Sequence, residues 1–138
     1  MKNRMTLTSG EYVVSKVLII KSTLETCAVV CLYDDIKKIG LMYHTPKSNT
    51  EKSIMIVLPK GLNDLKYMNC DNIKATIIGG AYFNPNDKNI SFENIKIITS
   101  ILENYNILIE KVIHAGADKL IEVTFDSTNG RIQISFKK

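Results

Sequence analysis

The sequence predicts an α+β fold: a single-domain α/β sandwich with a mainly antiparallel sheet and about two helices. Short apolar runs rich in Val, Ile, Leu and Tyr recur along the chain, with polar or Gly/Asn/Pro turn signals between many of them. Two stretches, one within 53–69 and one at 92–105, carry apolar residues at helical spacing instead. Strands in runs, with the helices set apart, suit an α+β arrangement better than a doubly wound parallel sheet.

The 138 residues form one domain, 1–138, long enough for a proper core. Hydrophobic content of 45% with 23% charged is ordinary globular composition. The net charge of +4 comes from lysines scattered along the chain rather than gathered in a block, so a solvated surface is expected and no nucleic-acid partner. The basic start, Met1 to Thr6, has no continuous apolar stretch after it and does not read as a signal peptide. No segment approaches the ~20 apolar residues of a membrane span. Three cysteines, an odd count, fit a reducing compartment, and a cytoplasmic location follows as the expectation.

Taken in order, residues 11–21 (EYVVSKVLIIK) read as one or two strands around Ser15-Lys16. Cys27 to Tyr33 and Ile39 to Thr45 are two apolar runs joined by Asp34-Asp35-Ile36-Lys37-Lys38, the pattern of an antiparallel hairpin. Pro46 to Lys52 is a polar loop. Within 53–69, Ile54, Leu58, Leu62 and Leu65 recur at helical spacing while Pro59 and Gly61 oppose a helix interior. Either a strand precedes a helix that starts near Pro59, where proline suits the first turn, or one kinked helix runs through. Ile73 to Ile78 is a short strand ending in Gly79-Gly80, a place for close backbone approach rather than a phosphate loop. Asn84 to Asp87 is a turn, and a helix over 92–105 follows with Ser91 as its N-cap and Ile95, Ile98, Ile101, Leu102 and Tyr105 on its apolar side. Strands near 107–114, 119–125 and 131–136 complete the chain, the last two joined through Asn129-Gly130. His114, inside an apolar strand, is expected to be a satisfied structural histidine.

The hairpin carries the chemistry. If Leu32 faces Ile39, then Cys27 faces His44, and directly opposed side chains hold their Cβ atoms roughly 4.5–5.5 Å apart. A thiol and an imidazole then meet beside Ser22, Thr23 and Thr26, as a nucleophile beside its base. A register slip of one residue would place the two on opposite faces. A metal site is not expected: Cys27 and Cys31, four apart on one strand, are ~13 Å apart at ~3.3 Å per residue. Cys31 and Cys70 are expected in the core.

The run from Thr26 to Asp34, with Lys38 to His44, resembles the chemoreceptor glutamine deamidases of the CheD family. Their pattern is a Gly-Ser-Cys, an apolar strand ending Leu-Tyr-Asp, and a Gly-Gly-Met-x-His, and the Cys27-to-His44 separation fits it without a gap. Ile78 to Phe83 is similar to the family's Phe-Gly-Gly-Ala-x-Met/Phe, Asn89 to Asn94 to its Asn-Ile-Gly-x-Arg-Asn, and Phe125 to Ile132 to its closing hairpin. The likeness runs in the same order from Gly10-Glu11-Tyr12 to the end. It departs from the family ahead of the cysteine, where Thr-Leu-Gly-Leu-Gly-Ser is replaced by Lys21 to Thr26. Without a gap Lys21 stands in for the family's active-site threonine and both glycines are lost; a two-residue deletion brings Thr23-Leu24 onto the Thr-Leu.

The resemblance implies a CheD-like sandwich with a helix covering at least 59–68. It also implies protein-glutamine deamidation by a Cys–His thioester mechanism, with catalytic residues Cys27, His44 and, as orienting group, Thr23 in preference to Ser22. Oxyanion donors are expected among backbone N–H groups near Thr26-Cys27. No cofactor and no metal is implied. The implied partners are the cytoplasmic helices of methyl-accepting chemotaxis receptors and a CheC-type phosphatase, with no direct membrane insertion. A CheD-like module that docks on these partners without turnover is the competing expectation. An unrelated papain-like hydrolase, with a distant histidine, fits the single hairpin poorly.

Overall fold

The computed structural model describes residues 3–46, 50–82, 84–117 and 120–137, the side chains at 80, 81, 117 and 137 excepted. Nine strands and two helices follow in the order β1 (Asn3–Thr6), β2 (Tyr12–Ser15), β3 (Leu18–Leu24), β4 (Val29–Asp34), β5 (Ile39–His44), α1 (Thr50–Tyr67), β6 (Ile73–Tyr82), α2 (Lys88–Asn104), β7 (Leu108–Ala117), β8 (Leu120–Asp126) and β9 (Arg131–Lys137). A short 3₁₀ turn, Pro85–Asp87, leads into α2. The described residues form an α+β sandwich, as the strand runs and separated helices predict, but with two sheets in place of one. One sheet has the order β1-β3-β8-β9 and the other β2-β5-β4-β6-β7. Only β1–β3 and β6–β7 among the described pairs are parallel.

The sequence pattern accounts for the layering. β4 is buried at nearly every position, because it has a helix layer on one face and the second sheet on the other. Ala28, Val30 and Leu32 pack toward Ile54, Leu58 and Leu62 of α1 and Ile95, Ile98 and Leu102 of α2. Cys27, Val29 and Cys31 point the other way, toward Ile20, Leu24, Ile121, Val123 and Phe125 of the four-stranded sheet. β8 alternates between buried and half-buried residues because only its inner face meets the core. Each fully buried aliphatic side chain stabilises the fold by about 1.5–3 kcal/mol.

Several local expectations are settled, and others are revised. Residues 11–21 make two strands, and β1 is an additional short strand in the basic N-terminal segment. The 53–69 ambiguity resolves to one helix that runs through Pro59 and begins at Thr50, within the expected polar loop. The hydrogen bond Pro59 cannot make belongs to Met55, on the exposed side of α1, while the buried Ile54, Leu58, Leu62 and Leu65 hold the other side in place. Gly61 lets α1 approach β5, since a Cβ there would stand 2.8 Å from Leu41 Cδ1. α2 starts at Lys88, so Ser91 lies inside it, buried, and is not the N-cap. His114 is exposed, not buried in an apolar strand: β7 is the edge of its sheet, and the ring stands edge-on to Phe92, 5.5 Å between centroids. No described helix is long and apolar enough to cross a membrane.

Candidate active site

The hairpin β4–β5 forms with a register two residues from the expected one. Asp34 folds back over the turn, its Oδ1 accepting the N–H groups of Ile36 and Lys37 while Lys38 N–H donates to its carbonyl. Asp34 therefore pairs with Ile39, Leu32 with Leu41, and Val29, not Cys27, with His44. A shift of two conserves side-chain direction, so Cys27 and His44 keep a common side. The pairing continues past the last ladder partners. Thr45 N–H donates to Ala28 O and Ala28 N–H to Thr45 Oγ1, both at 2.9 Å, and Cys27 Sγ lies 3.9 Å from Pro46 O. Cys27 thus stands diagonal to His44, a relationship of roughly 7–8 Å between backbones that a long or ring side chain spans.

Cys27 lies on the crossover from β3 in one sheet to β4 in the other, and only 4% of it is exposed. Gly79 of β6 makes this possible. A Cβ at that position would stand 2.9 Å from Ala28 Cβ and 3.3 Å from Cys27 O, so a larger residue would displace the segment carrying the thiol. The sequence marks Gly79 as a point of close approach; Phe83, at the end of the same motif, lies outside the described residues. On the helix side, Ser91 Oγ of α2 donates to Thr26 O at 3.3 Å.

His44 is buried at the end of β5. Its backbone is clamped by the segment before β2, with Gly10 N–H donating to His44 O and His44 N–H donating to Glu11 O. Its ring Nδ1 lies 2.7 Å from Ser22 Oγ of β3, a hydrogen bond between the two sheets. Ser22 Oγ also donates to Leu7 O at 2.7 Å. A hydroxyl has one proton, and here it is donated in the hydrogen bond to Leu7 O, so Ser22 accepts from Nδ1–H. The network thereby assigns the Nδ1–H tautomer and makes Nε2 the basic nitrogen.

The expected orienting residue, Thr23, is not at this contact. β3 alternates strictly, with Ile20, Ser22 and Leu24 buried and Lys21 and Thr23 exposed on the outer face. There Thr23 pairs across the sheet with Glu122, and Lys21 forms an ion pair with Glu122 at 3.4 Å. The two-residue periodicity of Leu18 to Leu24 contains this answer: any register that buries Ile20 and Leu24 also buries Ser22. The Leu7 carbonyl carries no signal in the sequence, because its partner lies on another strand.

The other cysteines take no part. Cys31 and Cys70 are buried, none of the three cysteines is in a disulfide, and burial pushes the Cys31 thiol far above its ordinary range. Among the described residues no three His, Cys, Asp or Glu side chains converge as a metal site. A thiol on the same side of the sheet as an oriented imidazole with a defined basic nitrogen is the residue pairing that nucleophilic acyl transfer uses.

No protein-family model matches this chain, and no curated protein matches it. Among solved structures, it is similar to the Bacillus licheniformis hypothetical protein YfiH. The TM-score is 0.52 at 11% identity, over 78% of this chain and 49% of that one. The chain thus spans about half the length of that protein. It also aligns with the Neisseria meningitidis protein NMB0706, of family DUF152, at a TM-score of 0.48 and 11% identity, covering 99% of this chain and 76% of that one. The likeness to the YfiH protein is one of fold.

Proposed function

We propose that this chain is a CheD-like protein-glutamine deamidase, converting glutamine side chains on chemotaxis receptors to glutamate. The observation that carries the chemical part of this reading is the Leu7–Ser22–His44 chain of hydrogen bonds on the side of the sheet that Cys27 shares. The receptor as substrate, and a CheC-type phosphatase as a second partner, rest on the resemblance of the Cys27 and His44 segments to that family.

In the proposed reaction, His44 Nε2 takes the thiol proton of Cys27 and the thiolate attacks the carboxamide carbon. The tetrahedral intermediate collapses with release of ammonia, which receives its proton from the imidazolium. Water deprotonated by His44 then hydrolyses the thioester and leaves glutamate. Ser22 holds the ring in the required tautomer and, as its acceptor, stabilises the imidazolium. This chemistry calls on no metal or organic cofactor.

The test is ammonia release on mixing the protein with a receptor cytoplasmic fragment. Release that Cys27→Ala abolishes is the expected result; no release from the unsubstituted protein would overturn the reading. A second reading, a CheD-like module that docks without turnover, is favoured by the near-complete burial of Cys27. It predicts retained binding to the fragment with no ammonia.

A further inference from the structure

We propose that the cleft between the two sheets at the Asp35 end of β4 is a binding site for a free α-amino acid with an apolar side chain. The inference is independent of the chemistry proposed at Cys27, since none of Cys27, Ser22 and His44 lines this cleft.

The cleft encloses about 380 Å³, near the lower end of the range for small-molecule sites. It lies between β4, β6 and β7 of one sheet and β8 and β9 of the other, where β7 and β9 are edge strands. Its interior is apolar, with Cys31 and Phe125 buried and Ile113, Ile132 and Ile134 half-buried. Its mouth carries four exposed charged residues, Asp35, Lys74, Glu110 and Lys111. An apolar interior under a charged mouth selects a small molecule with an apolar body and a polar head.

A β-bulge builds this mouth. Ala75 pairs with Ile109 and Thr76 with Lys111, which leaves Glu110 unmatched in β7. Ile109 packs on the helix-side core, and in a regular strand Lys111, two residues on, would share that side. The extra residue turns Lys111 to the cleft along with Glu110, so that chain neighbours of opposite charge line one cavity.

The four charges are unevenly matched. Lys74 Nζ lies 3.9 Å from Asp35 Oδ2 and 3.9 Å from Glu110 Oε2, one ammonium shared by two carboxylates. Lys111 forms no ion pair among the described residues. The mouth therefore offers excess negative charge at one place and an unmatched ammonium at another. A ligand ammonium suits Asp35 and Glu110, and a ligand carboxylate suits Lys111. A phosphate or a simple carboxylate would face the two acidic groups with nothing to answer them, and a simple amine would leave Lys111 unmatched.

Thr76 supplies a further donor beside Lys111. It pairs with Lys111 across β6–β7 and with Cys31 across β6–β4, and it is only 9% exposed. Its hydroxyl makes no hydrogen bond to another described residue and lines the cleft. Buried hydroxyls are rarely left without a partner, and here a ligand carboxylate held by Lys111 would accept from it. The side chain of the amino acid then lies against Ile113, Phe125 and Ile134. That apolar contact supplies most of the affinity, while the charged mouth sets the choice of ligand.

Isothermal calorimetry with L-leucine and L-phenylalanine, alongside phenylpropionate, phenethylamine and glycine, tests the site. At least one of the two amino acids is expected to bind saturably and at least tenfold more tightly than the three controls, which lack in turn the ammonium, the carboxylate and the side chain. Lys111→Met and Glu110→Gln, both at the exposed mouth, are each expected to weaken that binding about tenfold with an unchanged urea midpoint. Isoleucine-methyl NMR spectra locate the ligand, and shifts at Ile113, Ile132 and Ile134 that saturate with the calorimetric Kd support the cleft. Failure of both amino acids to bind overturns the inference. So do controls that bind as tightly, unaltered binding by Lys111→Met, or saturating shifts confined to isoleucines elsewhere.

Discussion

Ser22 and His44 belong to different sheets, and the 2.7 Å hydrogen bond between them joins the two halves of the sandwich on the side that carries the candidate nucleophile. Its direction is set from outside, because the serine O–H already donates to Leu7 O. The short N-terminal strand, which leads Leu7 into place, is therefore part of the site's construction as well as of the fold.

Ser22→Ala removes the acceptor of Nδ1–H and the donor to Leu7 O in one step. The ring loses its fixed tautomer, and deamidation is expected to fall 10- to 100-fold. Two buried polar groups left without partners cost about 1–3 kcal/mol each at most. Thr23→Ala, on the outer face, is expected to leave kcat within twofold. Ammonia-release kinetics on the two variants separate them, and the opposite ranking would return the orienting role to Thr23.

Thiol reactivity should be confined to one of the three cysteines. Near neutral pH, iodoacetamide is expected to modify Cys27 first, with Cys31 silent because burial opposes its ionisation. His44→Ala should remove the selectivity by removing the base. Peptide mapping after timed alkylation reads the outcome, and three equally sluggish thiols would speak against an activated pair.

Gly79→Ala places a methyl group 2.9 Å from Ala28 Cβ and 3.2 Å from Ala28 Cα, atoms that can move only with the backbone carrying Cys27. The expected cost is about 1–3 kcal/mol in urea unfolding, with a loss of activity larger than the stability change alone would give. Gly61→Ala meets the flexible end of Leu41, at 2.8 Å, and is expected to cost less and to leave turnover intact. A Gly79→Ala protein with full activity would detach β6 from the site.

Asp34 makes stability depend on pH. Burial pushes its carboxyl up, but the N–H groups of Lys37, Asn72 and Ile36 together hold it below the ordinary carboxylate value. A lowered folded-state pKa contributes stability that is present above the unfolded value near 3.9 and lost as pH falls through the folded one. Asp34→Asn is thus expected to be about 1–3 kcal/mol less stable at pH 7, with the deficit shrinking below about pH 4. Urea midpoints at pH 7 and pH 3 check the sign. An unchanged deficit would mean that shape, not charge, holds the turn.

The alternation and continuity of apolar residues determined the strands, the hairpin and the common side of Cys27 and His44. Those properties follow from a two-residue period that every strand carries in itself, which is why a register error of two left the pair together. Local preference failed where packing outweighed it: at Pro59, carried inside α1 by its buried leucines, and at Ser91, drawn into α2 and onto Thr26. Tertiary structure alone decided which hydroxyl meets the imidazole, which ring nitrogen is basic, and how near β6 comes to the thiol. Ser22 and His44, Ser22 and Leu7, and Gly79 and Ala28 are brought together by the stacking of two sheets and the lateral order of strands. No short-range pattern encodes the distance between two sheets; it is set by the summed volume of the side chains that fill the space between them.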